Sequence, residues 1–396
     1  VPTPTPTPSR ARMLRRRRRS VRLLAAGVAV AVVGGGAVAY GLYRHLDGNI
    51  ASADISGQLG IDRPAEEAGG AENILVIGSD SRDGLGSQYG SGLTTAQSDT
   101  MLLVHVSADR QWAAAVSIPR DSWVSIPSCT GSDGTTTAPR TAKVNEAFAL
   151  GSAHGGTASG AACAIKTVEA VSGVRVDHFV VVDFTGFKTM TTALGGVPIC
   201  TTEPVVDPLA DLDLPAGEHL LEGEQALGFV RTRHAIGDGS DLGRIGRQQQ
   251  FLASMARTAE SKLTDPAALY GFLDAATSSI TTDSGLGSLT ALGSLAQSVS
   301  SLDPAQLQFF TVPNHPRSDV VKSDRANVLW SQPAAGALFS DLERDVDPTT
   351  SSADPVEPAP SAGASPSASA SPSSASGATA APAPVTTGAD TACTPT

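Results

Sequence analysis

Residues 73–84 read NILVIGSDSRDG: four apolar side chains in a row, then an abrupt change to glycine, hydroxyl and charged groups. A run that short is the length of a strand, and apolar residues at both alternating positions imply burial on both faces. The same character returns in MLLVHVS (101–107), WAAAVSI (112–118), HFVVVDF (178–184) and LQFFTV (307–312). Between them the period changes. CAIKTVEAVSGV (163–174) repeats apolar residues at Ile165, Val168 and Val171 and stops at Gly173, and FTGFKTMTTALGG (184–196) ends in a glycine pair. PAALYGFLDAATSSI (266–280) and SLTALGSLAQSVSSL (288–302) are further helix candidates. Strands and helices in this order predict an α/β domain, a mixed sheet with helices on both faces.

The chain has 396 residues, 41% of them hydrophobic, enough to bury a sizeable core. Net charge is −11, yet the first 22 residues hold eight arginines and no acid, leaving −19 for the rest. So acidic a remainder excludes general nucleic-acid binding and argues against a DNA-binding regulator. The basic arm runs instead into LLAAGVAVAVVGGGAVAYGLY (23–43), 21 residues without a charge. At about 1.5 Å per residue this can cross a hydrocarbon core of roughly 30 Å. Arginines before it and only Arg44 close behind place the N-terminus in the cytoplasm and the remainder outside. A cleaved signal peptide, with Ala37–Ala39 as its small-residue motif, is the alternative. The predicted organisation is a basic cytoplasmic segment (1–22), a transmembrane helix (23–43), a juxtamembrane stalk (44–71), a folded domain (72–345) and a disordered Ala/Ser/Pro-rich tail (346–396). The four cysteines lack zinc-like spacing, and outside the cell they can form disulfides. Of three pairings, Cys129 with Cys163 is preferred because it pins the loop TGSDGTTTAPR (130–140) to the next helix. That pairing leaves Cys200 and Cys393.

Ligands in open α/β sheets bind beyond the carboxyl ends of strands, which is where Asp80 stands. Asp99, in QSDTMLLV (97–104), precedes the second strand. Either acid serves equally well as a turn residue or cap. Together they would suit a hard cation such as magnesium. SIPRDSW (117–123) carries Arg120 and Asp121 out of a buried strand; Arg120 is either a surface partner of Asp121 or a bidentate fork for phosphate. AKVNEAF (142–148) offers Lys143 and Asn145. GFVRTR (228–233) reads as extended, so Arg231 and Arg233 would share one face. GDGSDLGRIGRQQQ (237–250) then opens a helix capped by Ser240 or Asp241, with Arg244, Arg247 and Gln248 on one side. Arginines in a first helical turn oppose the dipole unless an anion sits among them. The plain alternative is a solvated charged face. No P-loop, dinucleotide fingerprint or nucleophile elbow occurs. His105 and His178 lie on strands and read as core or edge residues, while His234 lies inside the basic stretch.

ILVIGSDSRD, SDTMLLVHV, VSIPRDSWV, KVNEAF, GFVRTRH and GSDLGRIGRQQQF, in that order, resemble the LytR-CpsA-Psr family. These are membrane-anchored proteins that attach glycopolymers to peptidoglycan. The resemblance covers about residues 72–262, with the sequence to 345 as the rest of the domain. It implies a three-layer α/β/α sandwich with an apolar groove for a polyprenyl chain. It also implies a metal-assisted phosphotransferase acting on a polyprenyl diphosphate-linked glycan with a peptidoglycan acceptor, and a pyrophosphatase side activity with water. By this resemblance Asp80 and Asp99 would bind Mg2+ (or Mn2+), with Arg82 in the same loop. Arg120, Arg231 and Arg233 would hold the diphosphate, and Lys143, Asp241, Arg244 and Gln248 would complete the polar end. Departures are a longer Gly-rich stretch between the aspartates and the cysteine-bearing loop after Ile126. The competing class is a non-catalytic adaptor or regulator that binds envelope lipids.

Overall fold

The computed structural model describes residues 32–66, 69–80, 97–232, 241–262, 264–300, 302, 306–351 and 386–387. Every apolar run singled out above forms a strand. Strands β1 (Ala51–Ala53), β2 (Glu72–Ser79), β3 (Ser98–Val106), β4 (Ala113–Ser117), β5 (His178–Asp183), β6 (Ile280–Asp283), β7 (Leu307–Thr311) and β8 (Thr386–Thr387) make one sheet, in the order β1-β6-β5-β2-β3-β4-β7-β8. β2, β4, β5 and β7 run in one direction and β3 and β6 in the other, so the sheet is mixed.

Helices α1 (Asn145–Ser152), α2 (Gly156–Ser172), α3 (Phe184–Ala193), α4 (Gly223–Arg231), α5 (Asp241–Lys262), α6 (Pro266–Ser278), α7 (Leu289–Val299) and α8 (Ala334–Glu343) complete the domain. Their ends follow local chemistry. Asp183 caps α3 by accepting from the Gly186 N–H, and Asp265 and Pro266 start α6. Gly173 stops α2 at φ 78°, returning its N–H to the Glu169 carbonyl.

The two faces of the sheet differ in dryness. On one, Leu75, Ile77, Met101, Leu103, Val116 and Phe179 are fully buried against Phe148 of α1, Ile165 and Val168 of α2, and Phe339 of α8. Each such side chain contributes about 1.5–3 kcal/mol by leaving water. On the other, Leu102, Ala115 and Phe309 meet Ala253 of α5, but Val76, Val104, Leu252 and Leu307 are only half-buried. A separate core joins Leu194, Leu221, Phe229 and Phe251 among α3, α4, α5 and the hairpin of Val197–Thr201 with Gly217–Leu221. Cys129 and Cys163 form a disulfide with Cα atoms 5.3 Å apart, fastening the segment after Trp123–Ile126 to α2. Cys200 is disulfide-bonded too.

Two expectations need correction. The stretch 44–71, read as a stalk, contributes to the fold: β1 pairs with β6, Ile55 and Leu59 enter the main core, and Arg63 grips the buried Glu169 carboxylate. GFVRTR is not extended up to Arg231, because Ala226, Leu227 and Phe229 face the core as a helical stripe and Arg231 ends α4. The helix at the N-terminus covers residues 32–49, running past Tyr43 through Arg44 and Asp47. Residues 23–31 of the expected span lie outside the described residues, and no helix among those described is long and apolar enough to cross a membrane. Val32, Val33, Val38 and Tyr40 on this helix are exposed.

Candidate active site at the carboxyl ends of the central strands

Because β2, β4 and β5 are parallel and β3 runs back between β2 and β4, one sheet edge gathers the ends of all four. Asp80 follows β2. Its N–H donates to the Gln97 carbonyl (3.0 Å), and its Oδ1 accepts from the Gln97 N–H (2.5 Å). Gly78 pairs with Thr100 and Ser79 with Ser98, so Asp99 is the extra residue of a β-bulge. Such a bulge bends the strand and re-aims its side chain. Arg120, three residues beyond Ser117 at the end of β4, donates from Nη1 to Asp99 Oδ1. Its Nε lies 3.8 Å from Asp121 Oδ2, and Lys143 Nζ donates to Asp121 Oδ1 at 2.6 Å.

Helices α4 and α5 bring the remaining cations. Arg231 stacks over the Phe184 ring, 4.7 Å from its centre. Arg244 Nη2 donates to the Asp99 carbonyl (3.3 Å), Arg247 Nη2 to the Thr232 carbonyl (2.5 Å) and Gln248 Nε2 to the Val230 carbonyl (3.1 Å). Asp207, buried, accepts from Thr232 Oγ1 (2.5 Å) and the Leu209 N–H (3.0 Å). An open cleft of about 220 Å³ lies among these groups. Asp99, Arg120, Asp207, Arg231, Arg244 and Gln248 form its polar wall, and Leu209, Ala210 and Val230 its apolar one.

Arg244 and Arg247 are buried. Burial pushes the Arg247 guanidinium below its ordinary pKa, and the Asp207 carboxylate opposes that shift. Desolvating a guanidinium costs several kcal/mol unless anions offset it. Three arginines face two carboxylates across the cleft, so an anionic ligand of phosphate type is electrostatically favoured there. Among the described residues no three His, Cys, Asp or Glu side chains gather as a metal cage. Asp80 and Asp99 nevertheless supply carboxylate oxygens from adjoining strand ends, which fits a hard cation that keeps several waters.

The cleft therefore unites Asp99, Arg120, Arg231, Arg244 and Gln248. Asp80 stands at the neighbouring strand end but does not line it, and Lys143 is drawn to Asp121 instead. Arg82, Arg233 and His234 lie outside the described residues, as does the side chain of Asp241, whose backbone begins α5. Asp207 and the apolar wall carried no sequence signal beyond a turn-like PVVDPLAD.

The chain belongs to the LytR_cpsA_psr family, whose sequence model matches residues 42–338. It is 32% identical over 280 residues to the probable cell wall biosynthesis protein LcpB of Corynebacterium glutamicum, covering 68% of this chain and 60% of that protein. To the cell wall biosynthesis protein LcpA of the same organism it is 32% identical over 317 residues, 74% of this chain and 59% of that one. It thus spans about three fifths of these two relatives. The polyisoprenyl-teichoic acid–peptidoglycan teichoic acid transferase TagT of Bacillus subtilis is 30% identical over 258 residues, 62% of this chain and 72% of TagT. Among solved structures, a LytR-Csp2A-Psr enzyme from Actinomyces oris shares the fold with TM-score 0.54 and 22% identity, over 76% of this chain and 97% of that one.

Proposed function

We propose that this protein is a membrane-anchored phosphotransferase that moves a glycopolymer from a polyprenyl diphosphate carrier to a peptidoglycan hydroxyl. The observation that carries this reading is the convergence of Arg120, Arg231 and Arg244 with Asp99 on one cleft. In it the arginines hold the diphosphate, and Gln248 fixes the wall of the cleft through Val230. The polyprenyl chain runs along the less dry sheet face, over Val76, Val104, Leu252 and Leu307. The acceptor oxygen attacks the phosphorus nearest the glycan. One O–P bond forms as the bridging P–O bond opens, and polyprenyl phosphate departs with the electron pair. The hydroxyl proton passes to Asp99 or to solvent. A phosphodiester joins polymer to wall, and water in place of the hydroxyl gives a pyrophosphatase side reaction.

Phosphoryl transfer of this kind rests on positioning and charge more than on a strong base. Mg2+ (or Mn2+) held by Asp80 and Asp99 would neutralise charge on the transferred group and its leaving oxygen. Arg120 holds one oxygen of Asp99, which orients that carboxylate. Residues 23–43 act as the anchor, with the N-terminus in the cytoplasm and the domain outside. The exposed apolar side chains at 32–40 support that role, and the Cys129–Cys163 disulfide agrees with an oxidising compartment. The relatives named as cell wall biosynthesis proteins and as a teichoic acid transferase support the substrate class.

The test is direct. The purified full chain is mixed with a polyprenyl diphosphate-linked saccharide, a peptidoglycan oligosaccharide and Mg2+. Mass spectrometry should find the saccharide on the acceptor through a phosphodiester, with loss of product in Arg120→Ala. No transfer by the unmodified chain under these conditions overturns the proposal.

A further inference from the structure

Asn145 opens α1 and is 4% exposed. Its main chain ties the segment leaving β4 to the start of β3. The N–H donates to the Arg120 carbonyl (3.4 Å), and the carbonyl accepts from Ser98 Oγ (3.5 Å). Its side-chain Nδ2 leans on Gln97 Oε1 (3.5 Å), and Gln97 is the residue whose main chain pairs with Asp80. Asn145 Oδ1 is buried and accepts no hydrogen bond. Buried acceptors are seldom left so, because stripping water from them without a replacement is unfavourable. Leucine has nearly the same shape and would carry no such penalty. The Gln97 contact accounts for the amide nitrogen but leaves the oxygen unexplained, next to the segment that presents both aspartates.

We infer that Asn145 Oδ1 is a third protein oxygen for the divalent cation that Asp80 and Asp99 hold, an inference that rests on the metal reading given above. Charge explains why an amide suits the place. Two carboxylates already balance a doubly charged ion. A third carboxylate would leave the centre negative and repel the diphosphate. A neutral oxygen adds a ligand without adding charge, and hard cations accept amide oxygens readily.

The experiment uses the full chain, stripped of metal and titrated with Mn2+ under electron paramagnetic resonance. Asn145→Leu should weaken Mn2+ at least tenfold, with metal-free thermal stability equal to or above that of the unmodified protein. Asn145→Asp should bind Mn2+ as tightly or more tightly, yet bind a soluble diphosphate more weakly. If Asn145→Leu and Asn145→Asp both keep the unmodified affinity while Asp99→Asn loses it, the role given to Asn145 is wrong and the two-aspartate site stands. Equal weakening in both Asn145 variants also overturns it, since a packing role would not distinguish Asp from Leu. Unchanged Mn2+ binding in Asp80→Asn and Asp99→Asn removes the metal site itself, and the inference with it.

Discussion

Arg120, carried past the end of β4, closes on the carboxylate of Asp99 where that residue bulges out of β3. The pair is partly exposed, at 20% and 22%. The cleft thus presents a cation already oriented by its own counter-ion, and each partner has a second task when a phosphate arrives.

Removing the guanidinium should therefore cost more than a surface ion pair would. Arg120→Ala is expected to lower kcat/KM for glycan transfer about a hundredfold or more, roughly 2.7 kcal/mol of transition-state stabilisation. Arg120→Lys should recover only part of this, because an ammonium lacks the planar fork. Steady-state transfer kinetics with a lipid diphosphate donor provide the measurement.

Asp99→Ala separates enzyme from adaptor. We expect transfer to fall to background while the lipid diphosphate still binds, since the arginines remain. Full transfer by this variant would mean that the protein binds envelope lipids without turning them over.

Stability should depend on pH through His178. Its hydrogen bond to Asp283, 3.1 Å, holds the imidazolium proton, and the Asp283, Asp177 and Glu72 charges help, against burial. The folded-state pKa therefore lies above the ordinary 6.5. Such a group stabilises fully below 6.5, and that contribution is lost as pH rises through the folded value. His105 acts oppositely. Burial lowers its pKa, so its contribution is lost as pH falls below 6.5. Urea midpoints measured from pH 6.5 upward should decline, and the slope should flatten in His178→Asn.

The Cys129–Cys163 disulfide bridges a separation of 34 residues. Closing a loop of that size in the unfolded chain is worth on the order of 4 kcal/mol on the entropic model. Cys129→Ser with Cys163→Ser should lower the unfolding free energy by an amount of that order, read from denaturant titrations. The cleft lies on other elements, so diphosphate binding by the folded fraction should persist.

The strands were legible because burial on both faces forces continuous apolar runs, as at Leu75–Ile77. The strand-exit residues Asp80 and Arg120 followed from them. Arg231 misled because Phe229, Val230 and Thr232 favour strands locally, whereas packing of Phe229 against Phe251 selects a helix. The spacing of Ile55 and Leu59 was too brief to register as a buried turn of helix. The Lys143–Asp121 ion pair depends on the register that sets Trp123 opposite Lys143, two residues beyond Asp121, which no local pattern shows. Asp207 was invisible for a similar reason: its burial arises from Thr232, 25 residues away in the chain.

The bulge at Asp99 has one more consequence. Thr100 and Ser98 keep their partners on β2 while the residue between them faces none. Substitutions at that one position break no rung of the sheet, so reactivity and architecture can be edited separately there, by mutation in the laboratory or by drift in a lineage.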